Sequence, residues 1–297
     1  LAPKGSVEVC REISKKKGYP IASIKQHKEV NYLCSYHKCG RTWLRFIIAN
    51  YLNLKYSLGM AIDLHSFFSL VPNDDHDPLK GIDTYRYPAD LRFPLILSSH
   101  SAYTAEKFAD VSLSRMIFLF RSIPDVVVSD YFQVTRILKS FSGELKDFIR
   151  DPQGGLAGYC RYLNSWAPVV QTGQPLVLTY EMLHQDTEKT AASVLTFLKI
   201  PVDAGILQEA VRLSSFEAMQ ALEKQSGMPR RQPLQGGLEA QRMRKGAVGG
   251  SSDYLDREDL DYIHRTCASL LSDEAKALLL CLRRPGGSFE KPPPGPP

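Results

Sequence analysis

Short apolar runs alternate along this chain with longer stretches patterned for helices, and that alternation restricts the fold more than any other feature. The runs Val30–Tyr36, Leu95–Ser98, Met116–Phe120 and Leu176–Tyr180 are too brief for helices, and the last three are nearly unbroken apolar segments. Such segments suit strands buried on both faces. The first run is followed by a predicted helix over 41–54, in which Leu44, Ile47, Ile48, Tyr51 and Leu52 recur at helical spacing. After the third, Pro124 sits where a first helical turn tolerates proline, and Val127, Val128, Tyr131 and Phe132 continue the helix. The fourth precedes a predicted helix over 187–198. Strands joined through helices run parallel, because a parallel pair needs a long crossover. The expected fold is therefore α/β, a single domain with a central parallel sheet flanked by helices.

The C-terminal third reads as helical. Ser214 with Glu217 forms a capping box before Ala218–Lys224, and Asp256–Leu271 carries acidic residues in its first turn. Between them, Gln225–Gly250 is rich in Gly, Pro, Gln and Arg, as lids and binding loops often are. The basic segment 1–28 reads as an N-terminal extension and the proline-rich 284–297 as a disordered tail, which leaves 29–283 for the domain.

Composition removes several classes. With 43% hydrophobic and 23% charged residues over 297 positions, the chain is ordinary globular protein rather than a disordered or fibrous one. Mean hydropathy is -0.21, and no apolar stretch approaches the roughly 18 residues of a spanning helix. No secretory signal is visible, and the six cysteines show neither zinc spacing nor a disulfide framework. A reducing, cytoplasmic setting is expected. The net charge of +5 suits a small anionic ligand as readily as nucleic acid.

In open α/β sheets ligands bind beyond the carboxyl ends of strands. The turn after the first strand reads Ser35-Tyr36-His37-Lys38-Cys39-Gly40-Arg41-Thr42-Trp43, with a lysine, a glycine and a hydroxyl where the next helix begins. Backbone N–H groups at such a helix start cradle anions, although the spacing is not that of a Walker A motif. The strand Met116–Phe120 ends at Arg121, with Ser129 on the following helix, which suits a grip on a second phosphate. A third basic cluster, Arg242-Met243-Arg244-Lys245-Gly246, lies in the long loop.

Together these segments resemble the sulfotransferases that use 3′-phosphoadenosine 5′-phosphosulfate (PAPS). SYHKCGRTW is similar to their 5′-phosphosulfate loop, usually YPKSGTTW, and in particular to bacterial forms reading SGRTWLR. FLFRSIPDVVVSDYF resembles their 3′-phosphate motif and RKGAVGG their RKGxxG loop, with LVLTYEML and SSFEAM as supporting matches. The resemblance implies a P-loop-like turn in which Lys38, Cys39, Gly40, Arg41 and Thr42 hold the 5′-phosphosulfate. It implies Arg121, Ser129, Arg244, Lys245 and Gly246 for the 3′-phosphate, and Trp43 and Phe216 for the adenine, with Ser214 near the same base and Tyr180 also in the cofactor set. His100, in the segment Ser98-Ser99-His100, corresponds to the family's general base, and Lys38 would neutralise the departing phosphate oxygen. No metal, nucleic acid or membrane span is implied.

Departures from the family pattern are informative. His37 stands where proline is usual and reads as structural; Cys39 replaces a serine; Ser98 replaces a lysine before the base. Phe67, Phe68, Leu70, Tyr85, Tyr87, Phe93 and Tyr103 suggest a pocket for a largely apolar hydroxylated molecule, free or as an acyl chain on a carrier protein. The competing readings are a P-loop-type nucleotide kinase and an inactive nucleotide-binding module.

Overall fold

The computed structural model describes residues 29–109, 111–172, 174–229 and 243–283. The expected extension 1–28, the tail 284–297 and 230–242 of the long loop, Arg242 among them, lie outside the described residues. Four strands, β1 (Val30–Ser35), β2 (Leu95–Ser99), β3 (Met116–Phe120) and β4 (Leu176–Thr179), form one parallel sheet in the order β2-β1-β3-β4. In the β3–β4 pair Ile117 lies opposite Leu176 and Phe120 opposite Thr179. Every residue of β2 and β3 is buried, the condition of a sheet covered on both faces. The fold class read from the alternation of strand and helix is thus the one observed.

The helices are α1 (Arg41–Lys55), α2 (Ile123–Phe132), α3 (Leu145–Arg150), α4 (Gly155–Thr172), α5 (Tyr180–Gln185), α6 (Thr187–Phe197), α7 (Ala204–Leu213), α8 (Phe216–Ser226), α9 (Arg257–Leu270) and α10 (Asp273–Leu279). Pro124 lies in the first turn of α2, where its missing N–H costs nothing. Asp256 caps α9 by accepting from the Asp259 N–H at 2.8 Å, which is why that helix starts where its acidic residues begin.

Two of the differences from the sequence reading have a visible cause in hydrogen bonding. Ser215, not Ser214, caps α8, accepting from the Ala218 N–H at 3.2 Å. Ser214 instead ends α7: its hydroxyl donates to the Ala210 carbonyl at 2.8 Å and accepts from Asn50 at 3.1 Å. Tyr180 opens α5 rather than closing β4, because the Thr179 hydroxyl takes the Met182 N–H at 3.0 Å and starts a helix.

The chain forms two compact units. The described part of unit 1 is 29–32, 43–99 and 195–229; that of unit 2 is 33–42, 100–194 and 243–283. Unit 1 is organised around Arg45, which is 2% exposed. Its guanidinium donates to the Val71 carbonyl and to Asn73 Oδ1, the latter at 3.0 Å, and lies over the rings of Phe67 and Phe68 at 5.0 and 4.7 Å. Those two rings, with Leu70 and Phe93, are at most 3% exposed. All four are buried in unit 1, and Arg45 stacks on the first two. Unit 2 packs α2, α3, α9 and α10 against α4. Trp166 of α4 is stacked 5.3 Å from Phe118 of β3. Tyr103, also expected at the acceptor side, lies 5.7 Å from Phe108 and 5.3 Å from Trp166 in this cluster.

Candidate active site

Every residue assigned to the donor's phosphates, and His100, falls in unit 2; Trp43, Ser214 and Phe216 fall in unit 1. The turn after β1 is shaped by two left-handed residues, Lys38 at φ 64° and Gly40 at φ 91°. At Gly40 the absence of a side chain is required, since a Cβ would stand 2.6 Å from Cδ2 of Tyr180. The turn delivers the chain into α1 at Arg41, whose first-turn N–H groups have no partner within the helix. Cys39 points inward: its thiol donates to the His37 carbonyl at 3.6 Å and lies 3.8 Å from the Tyr159 hydroxyl. Burial pushes that thiol up to about 12, so it stays neutral beside an anion.

Arg121, at the carboxyl end of β3, is the hub of the second basic turn. Its Nη2 donates to Asp125 Oδ2 at 2.9 Å and to the Ala247 carbonyl at 2.8 Å, and its guanidinium lies 4.0 Å from the centroid of the Tyr180 ring. Its Nε is buried and has no hydrogen-bond partner among the described residues, which leaves one donor of the fork for a ligand. Asp125 also accepts from the N–H groups of Gly249 and Ser251 at 2.8 and 3.0 Å, fastening the C-terminal loop to α2. Burial raises the Asp125 carboxyl, but the Arg121 charge and these hydrogen bonds outweigh it and hold the pKa below the usual carboxylate value. Tyr159 of α4 joins the two basic turns: its hydroxyl donates to the Arg121 carbonyl at 2.8 Å and accepts from the Arg121 N–H at 3.2 Å, beside the Cys39 thiol.

The third cluster approaches the same turn through its backbone. The Gly246 carbonyl accepts from His184 Nε2 at 2.9 Å. Arg244 donates to the Tyr254 hydroxyl at 2.6 Å and lies over the Phe132 ring at 4.2 Å. Lys245 pairs with Asp253, whose carboxylate is 65% exposed. An exposed pair of this kind is worth little, so an anion competes for Lys245 at small cost. Ser129 is half-buried in α2.

His100 follows β2. Its Nδ1 is 2.8 Å from the Ser35 carbonyl; because a carbonyl only accepts, Nδ1 carries the proton and Nε2 is the basic nitrogen. That is the tautomer a general base requires. Ser98, which stands where the family has a lysine before the base, is 1% exposed and donates to Asn73 Oδ1 and the Pro72 carbonyl, each at 3.3 Å. In unit 1, the Trp43 indole N–H donates to the Ser214 carbonyl at 2.9 Å. The Ser214 hydroxyl is buried and, through Asn50, ties α1 to the end of α7. Phe216 is half-buried at the start of α8.

Asp125 and Tyr159 were not among the residues singled out from sequence. Asp125 lay in view inside the Arg121 motif; Tyr159 gave no signal, because α4 itself was not anticipated.

One buried carboxyl on α2 behaves oppositely to Asp125. Burial pushes Asp130 up to about 6, against the pull of the Lys38 charge. The folded state therefore holds a proton that an unfolded aspartate, with a pKa of about 3.9, releases. Its stabilising contribution is complete below pH ~4 and disappears as pH rises through ~6. Asp130→Asn is expected to stabilise the protein at pH 8 by on the order of 1–2 kcal/mol, and not at pH 4.5. Urea unfolding at both values checks this; equal destabilisation at both would mean that the carboxylate makes contacts the fold needs.

The fold, with two basic turns at strand carboxyl ends and a helix starting after each, defines an α/β protein built to hold a phosphorylated ligand. The sulfotransferase domain family matches residues 31–275, and the chain belongs to that family. Flavonol 3-sulfotransferase of Flaveria bidentis is 24% identical over 266 residues, 82% of each chain. Human sulfotransferase 2A1 is 27% identical over 195 residues, 63% of this chain and 65% of the relative. Among solved structures, mouse sulfotransferase SULT7A1 complexed with PAP superposes with a TM-score of 0.58 at 16% identity, covering 92% of this chain and 93% of that one. Retinol dehydratase in a complex with retinol and PAP gives 0.60 at 16% identity, covering 91% and 86%. At these identities the structural likeness concerns the fold. Among the described residues, no helix is long and apolar enough to cross a membrane.

Proposed function

We propose that this sulfotransferase moves a sulfuryl group from PAPS to the hydroxyl of a largely apolar small molecule or carrier-bound acyl chain, with His100 as the general base. The observation that carries this reading is the His100–Ser35 hydrogen bond of 2.8 Å, which presents a basic Nε2 in the unit that also contains both basic turns. The residues fit the donor: Arg121 Nε is a buried donor still to be satisfied. Bound PAPS supplies the sulfuryl group and a phosphate leaving group.

Lys38 and the first-turn N–H groups of α1 would hold the 5′ end, and Lys38 would offset charge gathering on the departing oxygen. Cys39, Gly40, Arg41 and Thr42 take part through the turn they form. Arg121, Ser129, Arg244, Lys245 and Gly246 would hold the 3′-phosphate; Trp43 and Phe216 would flank the adenine. Tyr180 supports both turns by packing on Gly40 and under Arg121. His100 takes the acceptor's proton on Nε2, and Ser35 stabilises the resulting imidazolium by continuing to accept from Nδ1. The free thiols Cys34, Cys39, Cys160 and Cys267 suit a reducing, cytoplasmic compartment.

Family membership favours this reading over a P-loop-type kinase. Adenosine 3′,5′-bisphosphate is expected to stabilise the protein by roughly 2.7 kcal/mol at 100 times its Kd, and ATP with Mg²⁺ by much less. A thermal-shift series checks this, and equal or greater stabilisation by ATP would favour the kinase. For the acceptor, a flavonol in one relative's name and retinol in one neighbour's title support an apolar hydroxylated molecule. Transfer of labelled sulfuryl to phenols or hydroxyacyl carriers is the expected outcome of an acceptor panel. Transfer only to heparan-type oligosaccharides would overturn the acceptor class.

A further inference from the structure

His37 and Cys39 flank Lys38 in the turn after β1, and they are coupled to each other through the thiol's hydrogen bond to the His37 carbonyl at 3.6 Å. The His37 ring lies with its centroid 4.1 Å from that of His100, the planes tilted by 41°. Behind it, the Tyr36 ring meets His37 edge-on at 5.1 Å and itself packs on Tyr159 at 4.8 Å and Tyr162 at 5.2 Å. Tyr159 and Tyr162 belong to α4 and are 0% and 3% exposed. A continuous series of ring contacts therefore runs from the buried face of α4 through Tyr36 and His37 to His100.

We propose that His37 is a positioning residue for His100, its ring bearing on the His100 imidazole and fixing the direction of Nε2; the proposal rests on His100 being the general base. The hydrogen bond from Nδ1 to Ser35 sets the tautomer, and the His37 ring bears on the imidazole itself. The backbone of His37 is in turn held by Cys39. Reaction rates respond steeply to such placement, since about 1 Å of displacement costs up to about 10²-fold. A planar side chain supplies the bearing surface that this turn needs.

The test compares His37→Ala, His37→Phe, His100→Ala and the His37→Ala/His100→Ala double variant, using the best acceptor of the panel above. His37→Ala is expected to lower kcat about tenfold or more, with KM for the acceptor and Kd for the bisphosphate unchanged. His37→Phe, which keeps a flat ring, restores most of the loss, and the double variant is no slower than His100→Ala. Nitrogen-15 spectra of the ligand-free protein give a second readout: His100 shows a protonated Nδ1 and an unprotonated Nε2 in the parent and in His37→Phe. In His37→Ala the two signals move toward their mean. An unchanged spectrum in His37→Ala, a kcat within about twofold of the parent, or a Phe variant as slow as Ala overturns the positioning role while leaving the base reading intact. Undiminished turnover in His100→Ala overturns the base reading and the positioning role with it.

Discussion

Alanine at His100 is expected to lower turnover by about 10²–10⁴-fold, while adenosine 3′,5′-bisphosphate binds the variant within about twofold of the parent. The separation follows from placement. His100 touches the Ser35 carbonyl and the His37 ring, whereas the cations proposed for the phosphates are Lys38, Arg121, Arg244 and Lys245. Losing an uncharged imidazole removes the proton acceptor needed only as the acceptor oxygen attacks, so ground-state binding is spared. Single-turnover rates with saturating acceptor, beside bisphosphate titrations, check this. Near-parental rates would remove His100 from the chemistry; a parallel loss of affinity would recast it as a binding residue.

Arg121→Ala is expected to have the opposite profile, with bisphosphate affinity falling by about 10²-fold or more and the fold losing about 3 kcal/mol. Arg121 and Asp125 form a buried pair, their side chains 11% and 1% exposed. Truncating the arginine leaves the Asp125 carboxylate with uncharged partners, the Gly249 N–H and the Ser251 N–H and hydroxyl. It also frees the Ala247 carbonyl and removes the cation over Tyr180, so the C-terminal loop loosens as the phosphate contact disappears. Arg121→Ala/Asp125→Asn should recover part of the stability, because it removes the uncompensated charge, but none of the affinity. Denaturant midpoints and bisphosphate titration on the same variants distinguish the two effects. Unchanged affinity in Arg121→Ala would contradict the 3′-phosphate assignment.

Where apolar runs were short and bounded by turn residues, the chain disclosed its strands to within a residue, Met116–Phe120 without any difference. Parallel β-structure declares itself because both faces are covered and the run stays apolar throughout. Helix α4 gave no such signal: Gly155, Gly158 and Pro168 break its propensity, and it holds its shape because Leu156, Tyr159, Leu163 and Trp166 are buried at helical spacing. Ser214 and Ser215 are adjacent hydroxyls, either able to cap, and the choice fell to tertiary contact when Asn50 claimed Ser214. Lys38 and Arg121 stood out because they follow β1 and β3, where open α/β sheets hold ligands. Asp125 holds Arg121 from four residues away but Gly249 and Ser251 from far along the chain, Tyr159 reaches Arg121 across 38 residues, and His37, which reads as structural, lies with its ring against His100. Composition marked the aromatic residues at 67, 68 and 93 but not their burial, because it does not distinguish a pocket wall from core.

The most direct measurement of the central claim is a crystal structure of the protein grown with adenosine 3′,5′-bisphosphate. The account predicts the 5′-phosphate on the turn from Lys38 to Thr42 at the start of α1, and the 3′-phosphate on Arg121, with its Nε satisfied and Lys245 drawn from Asp253. Nucleotide bound with both phosphates away from Lys38 and Arg121 would contradict it.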